Sequence, residues 1–284
     1  MITCNLMGGL GNQIFQIFAT ISCAINHRMQ FKFLNVESLG GGFTTIRYTF
    51  WDKFFYKLKP FLIDNINIYP TNVIREKDFT FNKLIIDENQ YKEDIMLSGY
   101  FQSYKYFQEN YQLICRLIGL QQMKDDLLLK VNLNDDLLQN TISMHFRIGD
   151  YKKLQHVHPV MTKDYYFRAL NYIKSLDSTT NYTVLYFCED DDIDDVIQTI
   201  NYLKDKFIDY DFIRGKKELE DWEQMLLMSC CHHNIIANSS FSWWGAYLNS
   251  HKNKIVCYPS IWFGPSAPHN TNDLCPSEWF EVNI

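Results

Sequence analysis

The chain has 284 residues, enough for one large domain or two domains of ordinary size, and 46% of the residues are hydrophobic. Its 27 basic and 33 acidic residues give a net charge of −6, and no block of Lys or Arg stands out. This composition supports a folded core and does not favour nucleic-acid binding.

The N-terminal segment 2–26 contains no charged side chain, which raises the question of a membrane anchor. Three glycines and several side-chain amides interrupt the apolar run, and no basic region of a signal peptide precedes it. We therefore expect a buried strand and helix, no membrane span and a cytoplasmic location. Eight Cys residues without a secretion signal agree with a reducing compartment.

The first predicted elements are a strand over 2–6, a Gly-rich turn over 7–11, a helix with an apolar stripe, and a strand over 30–36. The turn suggests dinucleotide binding, but a fingerprint that begins at Gly9 would need a glycine where Ile14 stands. The amides of Asn12 and Gln13 are still placed to meet a ligand. Beyond position 36 the pattern blurs into aromatic-rich stretches.

The second half alternates between strand-like and helix-like segments, which predicts a parallel sheet covered on both faces. Strands are predicted over 141–146, 182–188, 207–213, 234–237 and 254–258, with helices over 163–176, 192–204 and 218–230 and from Ser240. A helix over 127–138 marks the boundary. The sequence therefore predicts an α/β protein of two Rossmann-like halves, 1–138 and 139–284, with a cleft between them and an irregular tail that wraps back.

Polar clusters follow several of these strands, at the ends where open α/β sheets bind ligands. His145 and Arg147 share one face at the end of the first strand of the second half. Arg147 can contact a phosphate through two charge-assisted hydrogen bonds, and Asp150 can orient the guanidinium. Taken alone, this cluster is also compatible with a structural Arg–Asp pair.

An acidic cluster, Glu189–Asp192, follows the next predicted strand. Its carboxylates can cap a helix, contact a nucleoside, or hold a divalent metal, and the sequence leaves these three roles open. The adjacent pairs Cys230-Cys231-His232-His233 and His156-x-His158 lack the spacing of a zinc site, so we expect no bound metal there.

The most informative segment is Asn238–Ala246, which places a carboxamide, three hydroxyls and two indoles after an apolar run. A strand that leads into a Ser-rich helix start offers free N–H groups and hydroxyls to an anion. A simple N-cap is the alternative. Three serines (Ser239, Ser240 and Ser242) together with Asn238 exceed what a cap needs.

Together these clusters resemble the α-1,2-fucosyltransferases of glycosyltransferase family 11. Gly-Gly-Leu-Gly-Asn-Gln-Ile-Phe-Gln over 8–16 is similar to the opening signature of that family. His145–Tyr151 is similar to its HxRRxDY motif, and 238–248 to its NSSFSWWGAWL segment. Residues 187–190 match an F-S-D-D element more loosely. The motifs extend over nearly the whole chain.

The resemblance implies a GT-B fold and an inverting transfer from GDP-fucose to a glycan hydroxyl, with no essential metal or other cofactor. It implies a donor-binding C-terminal half and an acceptor-side N-terminal half. It implies that Arg147 contacts the diphosphate. The remaining implied donor-binding residues are His145, Asp190, Asn238, Ser239, Ser240 and Ser242, with Gly11, Asn12 and Gln13 from the N-terminal half.

The second arginine of the family motif is Ile148 in this chain, which removes one positive charge near the leaving group. Rival interpretations are a transferase of the same fold with another nucleotide sugar, a metal-dependent GT-A enzyme that uses Asp190 and Asp192, and an inactive carbohydrate-binding protein. The family suggests the 2-hydroxyl of galactose as acceptor. The sequence does not identify the general base or the oligomeric state.

Overall fold

The computed structural model describes residues 1–40, 45–64, 72–133, 138–177 and 180–284. The chain divides into two compact units. Unit 1 contains Met1–Gln122 and His269–Pro276, and unit 2 contains Met123–Pro268 and Ser277–Ile284. Both units contain helices and parallel strands, so the predicted α/β class with two α/β halves, as in GT-B-like proteins, is confirmed.

Unit 1 is organised around a three-stranded parallel sheet in the order β1-β7-β6. Its strands are β1 (Ile2–Cys4), β2 (Phe33–Leu34), β3 (Ser38–Leu39), β4 (Arg47–Tyr48), β5 (Leu62–Ile63), β6 (Asn72–Arg75) and β7 (Ile95–Ser98). The helices are α1 (Leu10–Asn26) and α2 (Tyr111–Ile118). Short 3₁₀ segments occupy Tyr56–Phe61, Glu88–Lys92, Tyr104–Tyr106 and Gln108–Asn110.

Helix α1 follows β1 through the predicted Gly-rich turn and is buried along most of its length. Gly8 has a φ of +77°, and a Cβ at this position would collide with the side chain of Asn12. A glycine is therefore required where the chain turns from β1 into the helix. The predicted strand over 30–36 is reduced to β2, and β6 and β7 lie in the stretch where the sequence pattern was blurred.

Unit 2 contains a six-stranded, all-parallel sheet in the order β10-β9-β8-β11-β12-β13. The strands are β8 (Thr141–His145), β9 (Thr183–Phe187), β10 (Asp211–Arg214), β11 (His233–Ile235), β12 (Val256–Pro259) and β13 (Phe280–Val282). The helices between them are α4 (Lys163–Leu176), α5 (Ile193–Lys206), α6 (Asp221–Cys230) and α7 (Ser240–Tyr247). In chain order this arrangement is 3-2-1-4-5-6, the order of a Rossmann sheet.

The strand order places helices on both faces of the unit 2 sheet. The chain runs from the central strand β8 to β9 and then to the edge strand β10. It then returns to the other side of β8 as β11 and continues through β12 to the opposite edge strand, β13. Because parallel crossovers are right-handed, this reversal puts α4 and α5 on one face and α6 and α7 on the other. The first face is filled by a core in which Tyr165 and Tyr166 are fully buried.

The helix predicted over 127–138 begins earlier in the structure and is confirmed over 127–131. The helix of this region is α3 (Leu120–Val131), which starts after Gly119, a left-handed residue that ends α2. Residues 134–137 lie outside the described residues. The unit boundary lies within α3, between Gln122 and Met123, whereas the sequence placed it after Leu138. Lys124 explains the difference, because its buried ammonium donates to the carbonyls of Ser229 and Leu248 in unit 2.

The C-terminal tail is more ordered than the sequence suggested. Residues 269–276 belong to unit 1, while β13 adds a sixth parallel strand to the sheet of unit 2. Within unit 1, Asp273 accepts a hydrogen bond from the backbone N–H of Phe81 at 2.9 Å and forms an ion pair with Lys105. The tail therefore fixes the segment that follows β6.

Candidate functional site

The strand order of unit 2 creates a switch point between β8 and β11. The connections that leave the carboxyl ends of these neighbouring strands run in opposite directions, which opens the crevice where Rossmann sheets bind ligands. His145 ends β8 and Arg147 follows it, while Asn238 and Ser239 follow β11. The structure thus brings together the two motifs that the sequence singled out, although they are far apart in the chain.

Arg147 is held between two carboxylates. Its guanidinium forms an ion pair with Glu189 and another with Asp150 at 2.6 Å, and it lies 5.0 Å from the ring centre of Tyr151. Burial alone lowers the pKa of Arg147, but Glu189 and Asp150 outweigh this effect and raise it. The side chain is 23% exposed, so a rigid cation reaches the surface at the switch point.

His145 is buried and neutral. Burial, reinforced by the positive charge of Arg147, lowers the pKa of His145 to about 3. Its Nδ1 atom is buried without a hydrogen-bond partner among the described residues, and its ring lies 5.4 Å from that of Phe241. A group with this pKa accepts a proton poorly near neutral pH, so His145 is suited to hydrogen bonding rather than to general-base catalysis.

The Ser-rich segment forms the start of α7. Ser239 is the N-cap, and its Oγ accepts a hydrogen bond from the N–H of Phe241 at 3.3 Å. Ser240, the first helical residue, is partly exposed. Ser242 is fully buried, and its hydroxyl donates to the carbonyls of Ala237 and Ser239 at 3.3 Å. The serines therefore differ: the hydroxyl of Ser242 is occupied by the helix itself, whereas Ser240 lies at the surface.

Asn238 connects three loops at the same edge. Its amide donates to the carbonyl of Pro159 at 3.0 Å and to that of Trp262 at 3.1 Å. Its Oδ1 atom is buried and has no partner in the part of the chain that the structure describes. Trp243 and Trp244 are fully buried, so they pack in the core and form no exposed platform for a sugar.

The acidic cluster is neutralised by groups of the protein itself. Asp190 forms an ion pair with Arg214, at the end of β10. Asp192 is buried, accepts a hydrogen bond from the backbone N–H of Gly149 at 2.7 Å and lies 3.6 Å from the ammonium of Lys152. Asp192 also stands at the N-terminus of α5, where a negative charge suits the helix dipole, but its carboxylate accepts no capping hydrogen bond from that helix.

The N-terminal motif lies at the carboxyl edge of the unit 1 sheet. Gly11, Asn12 and Gln13 form the first turn of α1. Asn12 Oδ1 accepts a hydrogen bond from the amide of Gln102 at 2.9 Å, and the amide of Gln13 donates to the carbonyls of Gly8 and Tyr48. Gln13 is buried, so its amide stabilises the turn itself.

Two further residues at these edges were not predicted from the sequence. Arg214 ends β10, and its charge could have been noticed at the end of a predicted strand. Glu76 follows β6, and its carboxylate accepts a hydrogen bond from the backbone N–H of Tyr100 at 2.7 Å. Its strand was hidden in the blurred region of the pattern.

A metal ion has no evident site among these side chains. Within the described ranges, no group of three His, Cys, Asp or Glu side chains is arranged to bind one. None of the described helices is long and apolar enough to cross a membrane.

Comparisons with known proteins agree with the motifs. The model of glycosyl transferase family 11 matches residues 1–281. An alpha-1,2-colitosyltransferase of Escherichia coli is 27% identical, with 99% of each chain covered. The O-antigen biosynthesis glycosyltransferase WbnK of Escherichia coli is 32% identical, with 68% of this chain and 62% of that relative covered. The resemblance to this family is confirmed.

Two solved structures are also similar. POFUT1 in complex with GDP has a TM-score of 0.49 at 9% identity, with 90% of this chain and 97% of that chain covered. A mutant of Arabidopsis thaliana FUT1 in complex with GDP has a TM-score of 0.48 at 12% identity, with 90% of this chain and 69% of that chain covered.

Proposed function

The chain belongs to glycosyl transferase family 11 and is a glycosyltransferase, and from this premise we propose that it transfers L-fucose from GDP-β-L-fucose to a glycan hydroxyl. The proposed acceptor is the 2-hydroxyl of a terminal galactose, and the product is an α-1,2-linked fucoside. The long match of the opening and Ser-rich motifs supports the donor. The name of the full-length colitosyltransferase relative supports the linkage.

The observation that carries this proposal is the position of Arg147 at the switch point, next to the N-terminus of α7. We assign Arg147 to the donor diphosphate, where two parallel N–H groups match a phosphate. The partly exposed Ser240 and the N-terminal end of α7 would complete the anion site. Ser239 would fix that turn as its cap.

The nucleoside would lie at the same edge of the sheet, beside the ends of β8, β9 and β11. We assign His145 and Asn238 to this end of the donor because each presents a buried polar atom without a partner among the described residues. Asp190 is also assigned here, with Arg214 as its partner. Gly11, Asn12 and Gln13 of unit 1 are also assigned to the donor, on the family resemblance of their motif. We assign Ser242 a structural role because its hydroxyl is already used within α7.

The reaction would be a single displacement. The acceptor oxygen forms a bond with the anomeric carbon while the bond to GDP breaks, and GDP leaves with the electron pair. The transition state has oxocarbenium character, and negative charge grows on the departing diphosphate. Arg147 and the N–H groups of α7 would stabilise this charge, since preorganised donors act strongest where charge develops. Attack from the opposite face converts the β-linked donor into an α-fucoside.

We propose that no metal takes part. The acidic cluster would be the natural ligand set for a divalent ion. Asp190 is instead engaged by Arg214, and Asp192 by the N–H of Gly149 and by Lys152. The charge that a metal would supply would come from Arg147 and α7.

A second candidate donor is GDP-colitose, because the relative that matches along its full length is named as a colitosyltransferase. Colitose is fucose without its 3-hydroxyl. A site built to bind that hydroxyl discriminates strongly against a sugar that lacks it, whereas a site that does not contact it accepts both sugars.

The test is a donor panel with GDP-fucose, GDP-colitose, GDP-mannose and UDP-galactose. Each is incubated with a β-galactoside acceptor, and the product linkage is determined by NMR. We expect an α-1,2-fucoside, with kcat/KM for GDP-fucose highest in the panel. A higher kcat/KM for GDP-colitose would select the second candidate. Transfer only from UDP-galactose or GDP-mannose would refute both.

A further inference from the structure

We propose that Glu76 is the general base that removes the proton from the acceptor hydroxyl. This inference rests on the proposed function, since it assigns a residue to one step of that reaction. It comes from the carboxyl edge of the unit 1 sheet, where a carboxylate follows β6 immediately.

Glu76 lies at the edge that also carries the Asn12 motif. In the order β1-β7-β6, the central strand β7 leads into a segment whose Gln102 amide donates to Asn12 Oδ1. The same segment offers the N–H of Tyr100 to Glu76 Oε2 at 2.7 Å. Two strand spacings, about 10 Å, separate the ends of β1 and β6. The motif assigned to the donor and the carboxylate thus line one edge, joined by a single loop.

The backbone around Glu76 is shaped to hold the carboxylate in place. A Cβ at Gly99 would collide with the Cβ and Oε2 atoms of Glu76, so only a glycine allows this approach. Phe101, a buried non-glycine residue, has a φ of +52°. The N–H groups of Tyr100 and Phe101 both stabilise the carboxylate. Such strain is maintained only where the surrounding structure enforces it, and it often accompanies functional sites.

The charges around Glu76 favour a base. Among the described residues, no Lys or Arg forms an ion pair with Glu76. By contrast, Arg147 pairs with Glu189 and Asp150, and Arg214 pairs with Asp190. Burial raises the pKa of Glu76, the N–H groups of Tyr100 and Phe101 oppose this, and Asp78 raises it further. A carboxylate whose pKa is raised is a stronger base than an ordinary carboxylate.

The groups that face Glu76 come from two elements besides its own strand. Asp78 lies in the segment after β6, and Tyr106 lies in the 3₁₀ segment Tyr104–Tyr106. The pKa of Tyr106 is raised to about 12, mainly by burial, so this phenol stays neutral and does not compete as a base. Asp273 holds the backbone at Phe81 and thereby fixes the segment that carries Asp78.

In the proposed step, the acceptor O–H bond breaks and its proton moves to a carboxylate oxygen of Glu76. The freed electron pair forms the new bond to the anomeric carbon, and GDP departs with the pair of the broken bond. Protonated Glu76 then releases its proton to water. Charge and atoms balance without any additional reactant.

The test compares Glu76→Gln with wild type for transfer to a galactoside and for transfer to azide, a nucleophile that carries no proton. Gln keeps an oxygen that accepts from Tyr100. We expect glycan transfer to fall roughly 10²- to 10⁴-fold, while azide transfer and GDP-fucose affinity stay within about threefold of wild type. Glu109→Gln, the same change at an exposed site of unit 1, should behave as wild type.

Glycan transfer by Glu76→Gln within threefold of wild type would overturn the proposal. An equal loss of glycan and azide transfer would do so too, because it would reveal a positioning role. If the carboxylate is the base, the Glu76→Asp variant should keep the fall in rate at low pH that reports protonation of the base. A pH–rate profile of this variant without that fall would contradict the proposal. Absence of fucose transfer by wild type would instead refute the proposed function.

Discussion

Arg147→Ala should reduce catalysis far more than stability. The proposed contacts of Arg147 with the donor contribute more free energy than its ion pairs within the folded chain. In the folded chain its partners, Glu189 and Asp150, are 58% and 53% exposed. Ion pairs with such exposed partners contribute roughly 0–1 kcal/mol to stability. For a chain of this size, that corresponds to a fall in Tm of no more than about 4 °C.

The loss in catalysis should be much larger. Each charge-assisted hydrogen bond from the guanidinium to the donor diphosphate contributes roughly 1.5–3 kcal/mol. Removing two of them costs about 3–6 kcal/mol and lowers kcat/KM by roughly 10²- to 10⁴-fold. Arg147→Lys keeps the charge but loses the paired N–H geometry, so its loss should be smaller.

The assay measures initial rates at varied GDP-fucose together with the Tm of each variant. Arg168→Ala is the matched control, because this exposed arginine of unit 2 donates to the carbonyl of Asn283 and lies outside the switch point. A kcat/KM of Arg147→Ala within about threefold of wild type would refute the assignment. A fall in Tm well beyond about 4 °C would show that the pairs with Glu189 and Asp150 are structural.

Ser240→Ala should raise the KM for GDP-fucose. Ser242→Ala should leave that KM unchanged and lower the free energy of unfolding in urea by about 1 kcal/mol. The reverse pattern would exchange the roles assigned to the two serines. Excess EDTA should not reduce transfer, since protein groups neutralise the acidic cluster; activity restored only by Mg²⁺ would contradict this. Ile148→Arg should lower the Tm without raising kcat/KM, because its charge would enter an apolar cluster. Burial lowers the pKa of His233 to about 3, and its Nδ1 accepts from the N–H of Ile255. Protonation of His233 on unfolding should therefore lower stability by up to about 1.4 kcal/mol per pH unit as pH drops below about 6.5, and His233→Gln should reduce the slope measured by urea unfolding by that amount.

The sequence predicted most strands of unit 2 because buried parallel strands read as short apolar runs between amphipathic helices. Strand β13 was missed because its three residues, Phe280–Val282, carry no periodic signal in a Pro-rich tail. Strands β6 and β7 were missed because aromatic residues are dense on both sides of them. Local pattern therefore identifies an element only where it is long or cleanly bounded.

The sequence indicated the individual polar clusters of the site but not which of their side chains form ion pairs with one another. Each polar cluster could be placed at a strand end, yet the ion pairs of Arg147 with Glu189 and of Arg214 with Asp190 join neighbouring strands. Those pairings follow from the strand order, which a single sequence does not contain. Glu76 was missed because its strand lies in the blurred region of the pattern, and its partner Tyr100 follows a second strand, β7, of that region.

The packing of Ile148 decides how much positive charge this motif can offer to the departing diphosphate of the proposed reaction. Ile148 is buried in the apolar cluster beneath α4, so its side chain packs into the core and adds nothing to the polar surface. Arg147 is then the cation of its motif, and two carboxylates share it. In the proposed site, a phosphate would compete with Glu189 and Asp150 for the guanidinium, which would weaken binding in the ground state. As negative charge grows on the diphosphate, the diphosphate would compete better with the two carboxylates. Arg147 would therefore stabilise the transition state more than the bound donor.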